Sequence, residues 1–223
     1  MKRIIISALL ASTSIACAHA GDALDTEQKK ISYTLGAQLA QRMPPSAGKL
    51  DVDAVTAAVR DVLSGQELKL SQPEMVAVMD GLRAKVLAER QKAADVNLKE
   101  GQDFLASNAK KEGIKTLESG VQYKVVTKGK GKTPKATDKV LAHYEGRLIN
   151  GKVFDSSIKR GQPATFPVNA VIKGWQEVLQ KMNEGDKWQV FIPSELAYGA
   201  QSPSPDIGPN STLIFDIELI KIN

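Results

Sequence analysis

The sequence is short of the side chains on which most enzymes rely. It holds one cysteine, Cys17, and two histidines, His19 and His143, in 223 residues, and aromatic residues make up 5% of it. One cysteine excludes an internal disulfide, a Cys/His zinc cluster lacks donors, and a thiol nucleophile or paired-histidine relay has nothing to draw on. Long apolar runs are missing too. Ile4 to Leu10 is interrupted at Ser7 and falls short of the roughly 18 to 20 residues a spanning helix needs. Nor is there a surplus of charge of one sign: the formal balance is +5 with cations and anions mixed along the chain, which is a soluble surface and not a nucleic-acid footprint.

What is present at the start of the chain is an export pattern. Lys2 and Arg3 precede the apolar stretch, and Ala18-His19-Ala20 supplies small residues around a cleavage point, so residues 1–20 read as a secretory signal removed after Ala20. Lipidation of Cys17 is the rival, against which Ser14 stands where such a signal wants an aliphatic residue. Cleavage removes Lys2 and Arg3, and with them Cys17 and His19, leaving a mature chain of formal charge +3 whose sole histidine is His143. An exported chain without cysteine is stabilised by burial alone, for which about 200 residues suffice in one or two domains.

Residues 25–113 carry helical signals. Thr26 can cap a helix in which Ile31, Leu35, Leu39 and Met43 form one stripe, ended by Pro44-Pro45. Asp51 or Asp53 can start a second, with Val52, Val55, Val59, Val62 and Leu63 on one side and Gly65 as its stop. Ser71 and Glu74 form a capping box with Pro73 in the first turn, opening a helix of about 40 residues, about 60 Å long. Its apolar stripe, from Met75 to Leu87, thins towards Leu98, so its middle is expected to lie in solvent as a rod between two bodies. The short helices cannot enclose their apolar faces, and self-association through residues 25–87 is the expected remedy; the competing arrangement is a three-helix core folded back on itself.

From Gly113 the period becomes alternating. Val121, Tyr123 and Val125 read as one strand and Val140, Ala142 and Tyr144 as another, with the Lys-, Gly- and Pro-rich stretch 128–139 a loop and Asn150-Gly151 a hairpin turn. Asn169 is expected to open a short helix with Val171, Ile172, Trp175, Val178, Leu179 and Met182 on one face. Trp188, Val190 and Ile192, then Leu213, Phe215, Ile217 and Leu219, return to strand spacing. The expected class is α+β: an all-α segment with a long connecting helix, then an antiparallel sheet packed on a short helix. The boundaries are 1–20 for the signal, 21–112 for the helical dimerisation region and 113–223 for the sheet domain.

His143-Tyr144-Glu145-Gly146, Phe154-Asp155-Ser156-Ser157, Val171-Ile172-Lys173-Gly174-Trp175, Ala197-Tyr198-Gly199 and Thr212-Leu213-Ile214-Phe215-Asp216 resemble, in order and spacing, the motifs of the FKBP-type peptidyl-prolyl isomerases. The signal, helical segment, long helix and terminal domain are further similar to the macrophage infectivity potentiator group of bacterial FKBPs and their periplasmic chaperone relatives, which are homodimers joined through their N-terminal helices. The resemblance implies a catalytic pocket of Tyr144, Phe154, Asp155, Ile172, Trp175, Tyr198 and Phe215, with Val171, Arg160, Phe166 and Ile207 contacting substrate. Trp175 would be the floor, the Tyr198 hydroxyl and Ile172 N–H would bond substrate carbonyls, and Asp155 would approach the rotating carbonyl, oriented by Tyr144 and Arg160. It also implies proline-containing polypeptides as partners, a homodimer and macrolide ligands. Ala164, Pro203 and Asp206 depart from the family pattern and put substrate preference and macrolide affinity in question. His143, neighbouring Tyr144 on a strand, points to the opposite face.

Turning an Xaa-Pro bond breaks no covalent bond. The obstacle is a resonance barrier of about 20 kcal/mol, so catalysis requires only a site that binds the twisted amide better than either planar form, with no nucleophile, metal or cofactor. The expected function is a periplasmic isomerase for exported proteins; the rival is a holdase-type chaperone or binding module that uses the same pocket with turnover secondary.

Overall fold

The computed structural model describes residues 24–44 and 48–223. The signal assigned to residues 1–20 and the helix stop at Pro45 lie outside them. The chain forms two compact units, one ending at Lys69 and the other Leu70–Asn223.

In the first unit, α1 spans Glu27–Gln41 and α2 spans Val52–Leu63. Thr26 Oγ1 accepts from the Lys29 N–H at 3.2 Å, and an Asp51 carboxylate oxygen accepts from the Ala54 N–H at 2.9 Å, each satisfying one orphan donor of a first helical turn. α1 contains no buried residue, and Ile31, Leu35 and Leu39 are 46%, 60% and 49% exposed. In α2, Val52, Val62 and Leu63 are likewise open.

The second unit begins with α3, Gln72–Asn108, a helix of 37 residues. At its start the Glu74 carboxylate accepts from both the N–H and the hydroxyl of Ser71, each at 2.7 Å. Those bonds, the hydroxyl first, hold Glu74 below the ordinary glutamate pKa. The middle of α3 is mostly exposed apart from Ala94, and towards its C-terminal end one face packs on the rest of this unit. Ala94, Gly101 and Asn108 are buried, Phe104 meets Phe191 at 5.9 Å, and Asn108 donates to the Gln122 side chain at 2.9 Å. These residues are spaced by seven, three and four positions, so they share one face, but apart from Phe104 the face is built of small and polar side chains and has little apolar signature.

The sheet is antiparallel throughout. Its strands are β1 (Lys115–Thr116), β2 (Gln122–Thr127), β3 (Lys139–Leu148), β4 (Val153–Ser156), β5 (Ala164–Pro167), β6 (Lys187–Ile192) and β7 (Leu213–Ile222), with α4 (Lys173–Leu179) between β5 and β6. The order is β1-β2-β6-β7-β3-β4, and β5 pairs with the other end of β3. Asn150-Gly151 does turn β3 into β4: Gly151 has φ +85°, and the Leu148 N–H reaches the Lys152 carbonyl at 3.0 Å.

Alternation sends Val140, Ala142 and Tyr144 of β3, Trp188, Val190 and Ile192 of β6 and Leu213, Phe215, Ile217 and Leu219 of β7 to one core, where Trp175, Val178, Leu179 and Met182 of the α4 segment join them. Asn169, expected to open that helix, lies in a 3₁₀ turn over Val168–Ala170. Val171 and Ile172 are extended, and α4 proper begins at Lys173. That extended pair turns the segment between β5 and α4 across the end of the core, and the candidate site is built there.

Candidate functional site

A cavity of about 310 Å³ opens at this end of the core, lined by Tyr144, Phe154, Asp155, Phe166, Ala170, Val171, Ile172, Trp175, Tyr198 and Phe215. Each element contributes for a local reason. β3 places Tyr144 on its core side beside Val140 and Ala142. β4 returns antiparallel with Phe154 and Asp155, and β7 carries Phe215 opposite Gly146. Gly146 is required there, because a Cβ would lie 2.6 Å from Phe154 Cζ and 2.7 Å from Phe215 Cε1. The first turn of α4 delivers Trp175 to the floor, 4% exposed.

The Trp175 indole organises the other rings. Tyr144, Phe166 and Phe215 meet it edge-on with centroids at 5.5, 5.6 and 5.3 Å, and Phe154 meets Phe215 the same way at 5.7 Å. Edge-to-face pairs contribute about 0.5–1.5 kcal/mol each beyond the area they bury, so the cavity is a stiff, preformed wall of rings. The indole N–H has no hydrogen-bond partner among the described residues. A buried unpaired donor costs about 1–3 kcal/mol.

The polar groups sit at the rim. The Tyr144 hydroxyl donates to Asp155 Oδ2 at 2.5 Å, Arg160 pairs with the other carboxylate oxygen, and Arg160 Nη2 donates to the Tyr144 hydroxyl at 2.8 Å. Burial alone would raise the Asp155 pKa, but the bonds from Tyr144 and Arg160 outweigh it and hold the carboxyl below its ordinary value. Tyr144 is pushed up, chiefly by burial and then by its bond to Asp155. Tyr198 is also raised, first by burial and then by the Asp155 charge, so both phenols stay protonated donors at neutral pH. The Tyr198 hydroxyl has no partner among the described residues. Ile172 caps α4 with an extended backbone (φ −57°, ψ 150°), which leaves its N–H outside the helical ladder.

All seven residues expected to be catalytic, with Val171 and Phe166, thus line a single cavity. Two expected contacts sit elsewhere. Arg160 is exposed and spends its guanidinium on Asp155 and Tyr144. Ile207 is not among the lining residues; it is buried in the core cluster, next to the Ser204–Ile207 bridge. Ala170 was not anticipated as a lining residue; its position directly before Val171-Ile172 was the available signal. Ala164 faces the core edge opposite Ala142, two residues from Phe166. His143 points away from the cavity, its Nδ1 3.1 Å from Ser157 Oγ.

Comparison with known proteins identifies the family. Residues 130–220 match the domain family described as FKBP-type peptidyl-prolyl cis-trans isomerase, and residues 28–125 match the domain found amino-terminal to it. The peptidyl-prolyl cis-trans isomerase Mip of Coxiella burnetii is 41% identical over all of this chain and 99% of that protein. The outer membrane protein MIP of Legionella longbeachae is 42% identical over 97% of this chain and 94% of that one. Among solved structures, FkpA from Escherichia coli is similar with a TM-score of 0.64 and 38% identity, covering 90% of this chain and 99% of that one.

Proposed function

The chain belongs to the FKBP-type peptidyl-prolyl cis-trans isomerases and acts on Xaa-Pro bonds, and we propose that it does so by holding the twisted amide in the ring-walled cavity over Trp175. The proline ring rests on the indole between Tyr144, Phe154 and Phe215, with Val171, Ile172 and Phe166 completing the walls. The Tyr198 hydroxyl and the Ile172 N–H donate to substrate carbonyls on either side of the bond. Asp155, kept ionised and fixed by Tyr144 and Arg160, faces the rotating carbonyl. In the twisted state that carbonyl loses its amide polarity, so a water-poor surrounding penalises the planar, charge-separated ground state more than the transition state. Each 1.36 kcal/mol of such preference is worth about tenfold in rate.

The single observation that carries this reading is the cavity itself: ten lining residues, mostly rings and aliphatic chains, with an ionised carboxylate and two uncommitted donors at the mouth. A protease-coupled cis-trans assay on Xaa-Pro peptides tests it. Turnover above the thermal background is expected, falling at least about tenfold in Asp155→Ala; a wild-type rate at background, or an Asp155→Ala rate equal to wild type, overturns it. A macrolide ligand of this cavity competes with peptide in the same assay.

Assembly and location complete the proposal. Residues 113–223 form the catalytic domain and 21–112 make the chain a homodimer, a reading supported by the open apolar faces of α1 and α2. Two joined catalytic domains raise the effective concentration of a second site for one client. Residues 1–20 direct export to the periplasm. Light scattering on residues 21–223 checks the first, and mass spectrometry of the mature N-terminus the second.

A further inference from the structure

The segment 198–212 begins with Tyr198, whose hydroxyl is the cavity's exposed donor, and returns to the sheet at Thr212. Few of its bonds are to the sheet. Its two limbs are tied to each other by the Asn210 N–H, which donates to the Gly199 carbonyl at 2.7 Å. Both limbs are also held from α3. Asn97 Nδ2 donates to the Pro209 carbonyl at 2.8 Å, and Arg90 Nη2 donates to the Ala200 carbonyl at 3.0 Å. Asn97 and Arg90 are seven residues apart and so share one helix face. Asn210 is the one non-glycine among the described residues with a positive φ, +54°. A left-handed residue of this kind persists where its surroundings over-determine it, and here its side-chain Nδ2 donates to the Ala94 carbonyl at 3.4 Å.

We propose that Asn97, assisted by Arg90, is a positioning residue for the isomerase reaction: by fixing the Pro209-Asn210 limb, and through the Asn210–Gly199 bond the residue next to Tyr198, it sets the place of the Tyr198 hydroxyl at the cavity mouth. The inference rests on the proposed role of Tyr198 as a donor to substrate. It gives the long helix a part in the site itself, one the small-polar composition of its face conceals. A loop anchored on both limbs holds its hydroxyl within the narrow range a directed hydrogen bond requires.

The test is a double-mutant cycle in the full chain with Asn97→Ala, Tyr198→Phe and the pair, read by peptide isomerisation and by amide hydrogen exchange at Gly199 and Asn210. Asn97→Ala is expected to lower kcat/KM about tenfold, mainly through KM, and to do nothing further in the Tyr198→Phe background, because the lost alignment then has no hydroxyl to act on. Exchange of the Asn210 amide rises in Asn97→Ala, and unfolding remains cooperative. Should Asn97→Ala fold poorly, Arg90→Ala, an exposed residue on the other limb, gives the same pattern at smaller amplitude. Multiplicative losses in the double mutant, or unchanged kcat/KM with unchanged exchange, overturn the proposal. A wild-type protein without isomerase activity would instead sink the functional reading, and the exchange measurement would still decide whether Asn97 holds the loop.

Discussion

The helices before Lys69 and the sheet body after Leu70 bury their apolar residues to opposite degrees. In the sheet body, Val140, Val190, Ile192, Leu213, Ile217 and Leu219 are fully enclosed, whereas α1 encloses nothing and Leu63 of α2 is 83% exposed. The difference shows what each can enclose by itself. Seven antiparallel strands around α4 close a core within one chain, while two short helices leave stripes that a second chain can cover. α3 repeats the contrast along its own length, with Val78 and Leu87 open in its first half and Ala94, Gly101 and Asn108 buried in its second.

The sharpest way to break the comparison is at its core, where two buried tryptophans differ in what lies above them. Trp175→Ala removes three edge-to-face contacts and the cavity floor; the protein is expected to lose about 3–5 kcal/mol of stability and at least about a hundredfold in kcat/KM. Trp188 is 5% exposed and stacks on Tyr123 at 4.3 Å away from that cavity. Trp188→Ala should cost comparable stability while the folded fraction keeps its turnover. Denaturant unfolding and the coupled assay on both variants separate the two roles.

The helical unit is expected to respond in the reverse sense. Placing a charge in the exposed stripe, as in Leu35→Asp with Leu39→Asp, should weaken association by about 2 kcal/mol or more per buried anchor, visible as a shift to monomer mass in light scattering. Turnover of a short peptide per chain should stay as it was. A drop in turnover with the mass unchanged would contradict the division of labour.

Within α3 the same substitution should have opposite signs. A Cβ at Gly101 would lie 2.3 Å from Thr212 Oγ1, whereas one at Gly81 meets nothing within 4 Å. Gly101→Ala is therefore expected to destabilise by about 1–3 kcal/mol by overpacking, and Gly81→Ala to stabilise by about 0.5–1 kcal/mol through helix propensity alone. Thermal unfolding of both variants reads the difference directly.

That pair also shows where the sequence was legible. The first half of α3 follows from its capping residues and apolar spacing, and β3, β6 and β7 follow from strict alternation. The packing of the second half could not be read from hydropathy, because Ala94, Asn97, Gly101 and Asn108 pack through close approach and hydrogen bonds to residues far along the chain, and neither leaves a periodic apolar trace. Ile207 shows the converse. The family resemblance implies Ile207 as a contact for substrate, whereas its burial in the core cluster depends on a loop path that only the fold determines. The cavity-lining rings were placed by resemblance to the family's motifs; the bonds among Tyr144, Asp155 and Arg160 bring together strand and loop residues whose mutual reach only the fold determines.

The smallest effect expected is that of pH, and its sign follows from the rim groups. Asp155 is held below its ordinary pKa, so its favourable contribution is complete above the unfolded-state value of about 4 and is lost as pH falls through the lower folded-state value. Tyr144 and Tyr198 are held above theirs, so what their protonated forms contribute is complete below about 10 and is lost only as pH rises through the higher folded-state values. Between about pH 5 and pH 9 neither change occurs, and kcat/KM on a peptide without ionisable groups should be flat across that window. Asp155→Asn should remove whatever acid limb appears below it, and Tyr198→Phe should remove the alkaline limb that belongs to its hydroxyl. A bell centred near neutrality would mean that a group outside this rim takes part in turnover.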